Sequence, residues 1–127
     1  MSETQDKYDK RFCRYNPSRK CDESCIYRRM LAIIGKRYTL NILRNLMYED
    51  KMRFNELAKE VAGSPKTLTE RLNELVNLQI VRREAFAEIP PRVEYSLTER
   101  GRDLKPVMDA IRIWAEKWWL NSELLYS

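Results

Sequence analysis

The 127-residue chain contains no histidine, only three cysteines, and no apolar run long enough to cross a membrane. Each absence narrows what the protein can be. Without histidine there is no Ser-His or Cys-His pair for nucleophilic catalysis. Gly35-Lys36 lacks the upstream glycine and the following Ser/Thr of a phosphate loop. The carboxylate pairs Glu56/Glu60 and Glu70/Glu74 are helical i, i+4 neighbours, the usual pattern of a solvated face. A non-enzyme without a cofactor is expected. The longest uncharged apolar stretch, "MLAIIG", is far short of a bilayer span, and "MSETQDKYDKRFCRYNPSRK" has no apolar core of signal-peptide type. The expectation is a soluble, cytoplasmic protein with no membrane partner.

Cys13, Cys21 and Cys25 all fall in the first fifth of the chain. An odd number without a secretory signal argues against a disulfide scaffold. Three thiolates with no histidine leave the fourth ligand of a zinc or iron–sulfur site unsupplied, so no metal is expected. Unreactive structural thiols, a redox switch and a metal site are the three readings.

What is present is charge, unevenly spread. The net charge is +5. Residues 1–30 hold eight Lys/Arg against five Asp/Glu, residues 31–83 ten against six, and residues 84–127 six against eight. Basic excess suits a polyanionic partner, while the C-terminal third is acidic and aromatic-rich.

The hydrophobic pattern predicts one mainly α domain of residues 23–127, with a small β-hairpin and an N-terminal arm of residues 1–22. Ile26, Met30, Ile33 and Ile34 recur at helical spacing, and Gly35 can end that first helix. Tyr38 to Met47 form a second, broadly apolar helix, broken by Glu49-Asp50-Lys51. Phe54, Leu57, Ala58 and Val61 give a short third helix ending by Gly63. Ser64-Pro65 is a start signal, a serine N-cap with proline at the first helical position. The fourth helix follows, with Leu68, Leu72, Leu75 and Val76 on one side and Lys66, Glu70, Asn73, Glu74 and Asn77 on the other, Thr67 beside them and Arg71 near the edge of the apolar stripe. "IVRREAFAEI" and "RVEYSLT" read as two strands around a Pro90-Pro91 tip. A C-terminal helix runs over about 98–121 from a Thr98 cap. Pro106 kinks it or marks where its regular part starts. Leu104, Val107, Met108, Ile111, Trp114, Ala115 and Trp118 line its stripe, and further apolar residues lie outside it, so a second subunit could cover part of the surface.

Amphipathic helix pairs such as "FNELAKEVAGSPKTLTERLNEL" are common in proteins that bind nothing. Here the Ser-Pro start, the basic hairpin directly after the second helix and the positive local charge favour a groove-reading device. Lys66, Thr67, Glu70 and Arg71 are suitable types for a helix face that reads DNA, and Ser64 with the helix N-terminus suits a phosphate. Arg82 and Arg83 serve equally well to keep an edge strand from aggregating, whereas Arg92 favours minor-groove or phosphate contact. A rival class is a winged-helix interaction module that uses its aromatic C-terminal helix and never reads DNA; it has no use for Lys66 and Arg71. RNA binding is weaker, since the aromatics follow the acidic part of the chain rather than a basic sheet.

Three blocks, "IIGKRYTLNILRNL", "MRFNELAKEVAGSPKTLTERLNELVNLQIVRRE" and "IPPRVEYSLTERGRDLKPVMDAIRIWAE", resemble HxlR-type transcriptional regulators, relatives of the MarR group. The resemblance spans about Cys25 to Trp118. It implies a winged helix-turn-helix fold, double-stranded DNA as partner, and a homodimer joined through the first and last helices on a pseudo-palindromic operator. Arg53, Ser64, Lys66, Thr67, Thr69, Glu70 and Arg71 would face DNA from the helix-turn-helix and Arg92 from the wing, with Lys36, Arg37 and Thr39 near the backbone. The expected dimer surface includes Ile26, Met30, Ile111, Trp114 and Trp118. Family members usually carry Gly-Gly-Lys-Trp where this chain has Gly35-Lys36-Arg37-Tyr38, so Lys36 adds a charge. Cys25 falls where many members place a cysteine, in some a redox sensor, although Ile26 replaces the usual following proline. A thiol there would answer an oxidant or electrophile if neighbouring cations such as Arg28 and Arg29 lowered its pKa. A small-molecule effector is equally compatible with the family.

Overall fold

The computed structural model describes residues 25–61 and 63–120. The expected arm of residues 1–22, with Cys13 and Cys21, lies outside them. The backbone divides into two compact units, residues 1–39 and 40–127.

The described part of the first unit is one helix and a turn. Helix α1, Ile26–Ile34, has Cys25 at its N-cap and Gly35 at its C-cap. None of its residues is buried. The turn delivers Tyr38 with φ 73°, a left-handed conformation uncommon for a bulky residue. The Arg37 guanidinium stands 4.9 Å over the Tyr38 ring, and the Thr39 N–H donates to Lys36 O at 3.3 Å. The added charge of Lys36 therefore sits in the turn leading into the next helix.

Helix α2 (Thr39–Tyr48), which lies in the second unit from Leu40 on, buries Ile42, Leu43 and Leu46, as its wide apolar arc requires. After the Glu49-Asp50-Lys51 break comes a two-residue strand, β1 (Met52–Arg53), which pairs antiparallel with Tyr95 and Glu94. Helix α3 spans Phe54–Glu60 and helix α4 Pro65–Asn77. The hairpin of β2 (Val81–Phe86) and β3 (Arg92–Leu97) completes a three-stranded antiparallel sheet in the order β1-β3-β2. Pairing runs from Val81 with Leu97 to Phe86 with Arg92. Burial is confined to the base of the hairpin, at Val81, Tyr95 and Leu97. The outer part projects as a wing whose tip residues, Ala87 to Pro91, are all exposed.

The C-terminal segment is divided rather than continuous. A one-turn helix, α5 (Glu99–Arg102), starts at Thr98, whose hydroxyl accepts from the Gly101 N–H at 3.1 Å. Helix α6 then covers Lys105–Trp119 with Pro106 in its first turn. Proline there costs no hydrogen bond because first-turn N–H groups have no helical partner. Of the two expected effects of Pro106, the structure has the second.

The start of α4 is as the Ser-Pro signal predicts. The Ser64 hydroxyl accepts from the Thr67 N–H at 3.1 Å and donates to Thr67 Oγ1 at 3.0 Å. Its other end is a Schellman turn: the Ile80 N–H reaches Leu75 O at 2.9 Å and the Gln79 N–H reaches Val76 O at 3.0 Å, with Gln79 in the left-handed region at φ 59°. Both ends of this helix are thus fixed by local hydrogen bonds, while Leu68, Leu72 and Leu75 anchor its middle in the core. Replacing Ser64 by alanine should destabilise the chain by about 1 kcal/mol in urea unfolding. Asparagine at the same position should recover most of that, since it offers the same acceptor.

Candidate nucleic-acid interface

Opposite its buried leucines, α4 exposes Lys66, Thr69, Glu70, Asn73 and Asn77. Lys66, Glu70, Asn73 and Asn77 follow i, i+4, i+7 and i+11, so they form one continuous strip along the helix. No hydrogen bond or ion pair engages the Lys66 or Glu70 side chain among the described residues. Asn73 and Asn77 are not among the sequence-expected site residues. The same helical spacing that places Lys66 and Glu70 also places them, and an asparagine amide matches the donor–acceptor edge of adenine.

The other expected residues of this helix are more committed. Thr69 donates its hydroxyl to Pro65 O at 2.8 Å and keeps an acceptor oxygen outward. Thr67 is half-buried beside the cap. The Ser64 hydroxyl is engaged as both donor and acceptor in the cap itself. Pro65 has no N–H, the Thr67 N–H is on Ser64 Oγ, and the Leu68 N–H is on Ser64 O at 3.1 Å. At most one first-turn N–H, that of Lys66, is left for a phosphate. The Arg71 side chain is only 18% exposed and donates to Glu74 Oε1 at 2.9 Å. To reach a base edge it must exchange that carboxylate.

Arg53 sits where β1 gives way to α3. Its backbone N–H donates to Glu56 Oε1 at 3.1 Å. The reciprocal half of a capping box is not formed, because a guanidinium has no acceptor. Its side chain is exposed and engages no acceptor among the described residues.

The wing arginine is held most closely. Arg92 Nη2 lies 3.2 Å from Glu88 Oε1, Arg92 Nε lies 3.2 Å from Glu94 Oε1, and the guanidinium stacks 4.2 Å over the Phe86 ring. The Nε contact is close enough for ion pairing but not aligned as a hydrogen bond, and that nitrogen has no other partner. Glu94 also faces Lys51 at 3.9 Å and is the register partner of Arg53. It therefore stands among three cations at the inner end of the wing. Neither glutamate is given a role in the sequence reading. Glu94 was findable, since residues i and i+2 share a face of a strand. Arg82 and Arg83 are exposed on β2.

In the first unit, Lys36 and Arg37 are exposed and Thr39 is buried at 2%. Burial there gives Thr39 a packing role at the start of α2. Cys25 is buried, at 7% exposure. Among the described residues no group of three or more Cys, Asp or Glu side chains is arranged to hold a metal, and no helix is long and apolar enough to cross a membrane.

A second kind of surface lies on α6. It contains no buried residue, yet Val107, Ile111, Trp114 and Trp118 follow one another at i, i+4, i+7 and i+11. Ile111 is 46% exposed, Trp114 56% and Trp118 62%. On α1, Ile26, Tyr27 and Leu31 are likewise exposed, with Met30 half-buried.

A helix-turn-helix with a capped second helix, followed at once by an antiparallel hairpin, is the architecture of winged-helix DNA readers. The profile of the HxlR-like helix-turn-helix family matches residues 33–123. The chain belongs to the HxlR family. Among its relatives is an HTH-type transcriptional regulator of Bacillus subtilis, YdeP, 39% identical over 97 residues that cover 76% of this chain and 75% of YdeP. The crystal structure of a MarR-family regulator from Porphyromonas gingivalis superposes with a TM-score of 0.68 at 31% identity, covering 77% of this chain and 96% of that one. The reduced form of YodB, a transcriptional regulator of Bacillus subtilis, gives 0.65 at 35% identity, covering 72% and 89%. YodB has also been crystallised after diamide treatment and with a bound quinone. The protein is thus a transcriptional regulator with a winged helix-turn-helix DNA-binding domain, as the three sequence blocks imply.

Proposed function

We propose that this HxlR-family protein binds a pseudo-palindromic operator in double-stranded DNA as a homodimer, with α4 in the major groove. The observation that carries the reading is the α4 strip of Lys66, Glu70, Asn73 and Asn77, held outward by buried leucines and locked at both ends. Buried leucines fix which face of α4 points outward, and the two caps hold the helix ends in place. Lys66, Thr67, Glu70 and Arg71 are assigned to base readout, with Asn73 and Asn77 extending it. Lys36, Arg37, Arg53 and the start of α4 are assigned to phosphates, which set affinity and salt dependence. Thr39 acts there by packing, Ser64 by capping and Thr69 through its outward oxygen. Arg92 is assigned to the wing contact.

Dimerisation is supported by α6 and, separately, by α1, each a helix without a fully buried residue among the described residues. A second copy offering the same apolar stripe would cover Ile26, Met30, Ile111, Trp114 and Trp118. Cys25 is proposed as the oxidant- or electrophile-responsive group. Its support is its position at the α1 N-cap beside Arg28 and Arg29, together with the reduced, diamide-treated and quinone-bound forms of YodB. An effector would act on the dimer rather than be turned over. The aromatic surface of α6 is also what an interaction module that ignores DNA would use, and the two readings part on the α4 strip.

Selection of genomic fragments by the purified protein at physiological salt tests this directly. Enrichment of an inverted repeat with half-sites one helical turn, or a multiple, apart is the expected outcome. The absence of enrichment in both reducing and oxidising buffer would favour the interaction module. An oxidant effect that persists in Cys25→Ser would remove Cys25 from its role. On the selected operator, Arg71→Ala is expected to lose about 1–3 kcal/mol, roughly tenfold or more in affinity, with relaxed choice at one base pair. Equal losses on operator and scrambled DNA would reassign Arg71 to a phosphate.

A further inference from the structure

We infer that Glu88 occupies the seat a DNA phosphate would take on the wing arginine, so that the wing carries its own competitor for DNA. The inference rests on the assignment of Arg92 to the wing contact. The two carboxylates around Arg92 are not equivalent. Glu94 is 18% exposed, lies on the same strand, and has Lys51 as a second cation. Glu88 is 50% exposed, belongs to the exposed tip, and pairs only with the terminal Nη2 at 3.2 Å. The Phe86 ring fixes the plane of the guanidinium from one side at 4.2 Å. Glu94 and Phe86 are thus positioning groups that hold Arg92 in place. Glu88 presents an oxyanion to the outward nitrogen, at the tip of the projecting hairpin.

Phosphate and carboxylate are alternative oxygen acceptors for one guanidinium edge. A phosphate approaching the wing must displace Glu88 and also meets its charge, whereas Glu94 can stay. The affinity of the protein for DNA is therefore set below what its cations alone would give. Arg92 is in turn kept from unspecific use on the free protein's surface by a partner 4 residues away in sequence.

The test is a double-mutant cycle on the full chain, read by fluorescence anisotropy with a labelled operator duplex and with a scrambled duplex of equal length. Glu88→Gln keeps the shape of the side chain and removes its charge. It is expected to tighten binding by about threefold, the range of an exposed ion pair, and to leave thermal unfolding nearly unchanged. In an Arg92→Gln background the same change should give a clearly smaller gain, because only the general loss of negative charge remains. Glu94→Gln should weaken binding, since Arg92 then loses its fixed partner. An equal gain from Glu88→Gln in both backgrounds would overturn the inference, as would any loss of affinity on Glu88→Gln. Should Arg92→Gln fail to fold, Arg92→Lys serves, because an ammonium cannot span both carboxylates. Failure of the unmutated protein to bind either duplex would instead count against the DNA-binding reading itself, so the two failures are distinguishable.

Discussion

Replacing Gly101 by alanine is expected to unfold the protein at markedly lower denaturant, with a loss of about 3 kcal/mol. Gly101 is buried in the single turn of α5. A Cβ there would drive into the carbonyl oxygen of Ile80 and stand 2.9 Å from Leu97 Cδ2. Neither neighbour can step aside cheaply. Ile80 O already accepts from the Thr98 N–H at 3.1 Å, and the Thr98 hydroxyl, which donates to Gln79 O at 2.6 Å, lies 3.1 Å from it. Leu97 is in the core and paired with Val81 at the base of the wing. Relief would require parting the residues just before β2 from the α5 turn, which breaks those bonds together. Urea unfolding followed by tryptophan fluorescence measures the change, and DNA binding should fall only as far as the folded fraction falls. A change below about 0.5 kcal/mol, the level of an ordinary surface substitution, would show that the joint is looser than its contacts indicate.

The second large effect is expected on assembly. Placing aspartate at both Ile111 and Trp114 puts two charges on the exposed stripe of α6, where a partner subunit would have to bury them unpaired. The monomer should keep its fold, because neither side chain is buried within it and both are about half exposed. Light scattering should then report the mass of one chain. Operator affinity should drop by about 100-fold or more, since two half-sites are no longer read by one linked pair of domains. Retention of full operator affinity by a proven monomer would remove the dimer from the proposal. A second double substitution, Ile26→Asp with Met30→Asp, tests the α1 contribution in the same way.

The parts of the fold that the sequence displays are those governed by local chemistry. Ser64-Pro65 marks the start of α4 to the residue because cap and fixed φ act within one turn. The leucines at 68, 72 and 75 orient that helix because period 3.6 admits one buried side. The wing is visible from β-branched and aromatic alternation on either side of Pro90-Pro91. What escapes a linear reading depends on partners far along the chain or on pairs of opposite charge. Strand β1 has two residues, too few to show any period, and exists through its pairing with Tyr95 and Glu94. The interruption at Asp103-Leu104 is hidden because the apolar stripe continues across it. Arg71 and Arg92 read as free cations in a string of letters, but each lies against a carboxylate in space. For Thr39 residue type suggests an exposed hydroxyl, and only packing reveals that it is enclosed.

The end of α4 is tied to the start of the C-terminal segment in an unusual way. Three successive carbonyls, those of Leu78, Gln79 and Ile80, accept from Arg100 Nη1, from the Thr98 hydroxyl and from the Thr98 N–H. Thr98 at the same time caps α5, which is followed after two residues by α6. A shift between α4 and α5 cannot be absorbed cheaply at this joint, because the backbone that would have to yield is hydrogen-bonded residue by residue. The helices α4 and α5 therefore hold together as one block, and a change in the angle between them must break several of these hydrogen bonds at once.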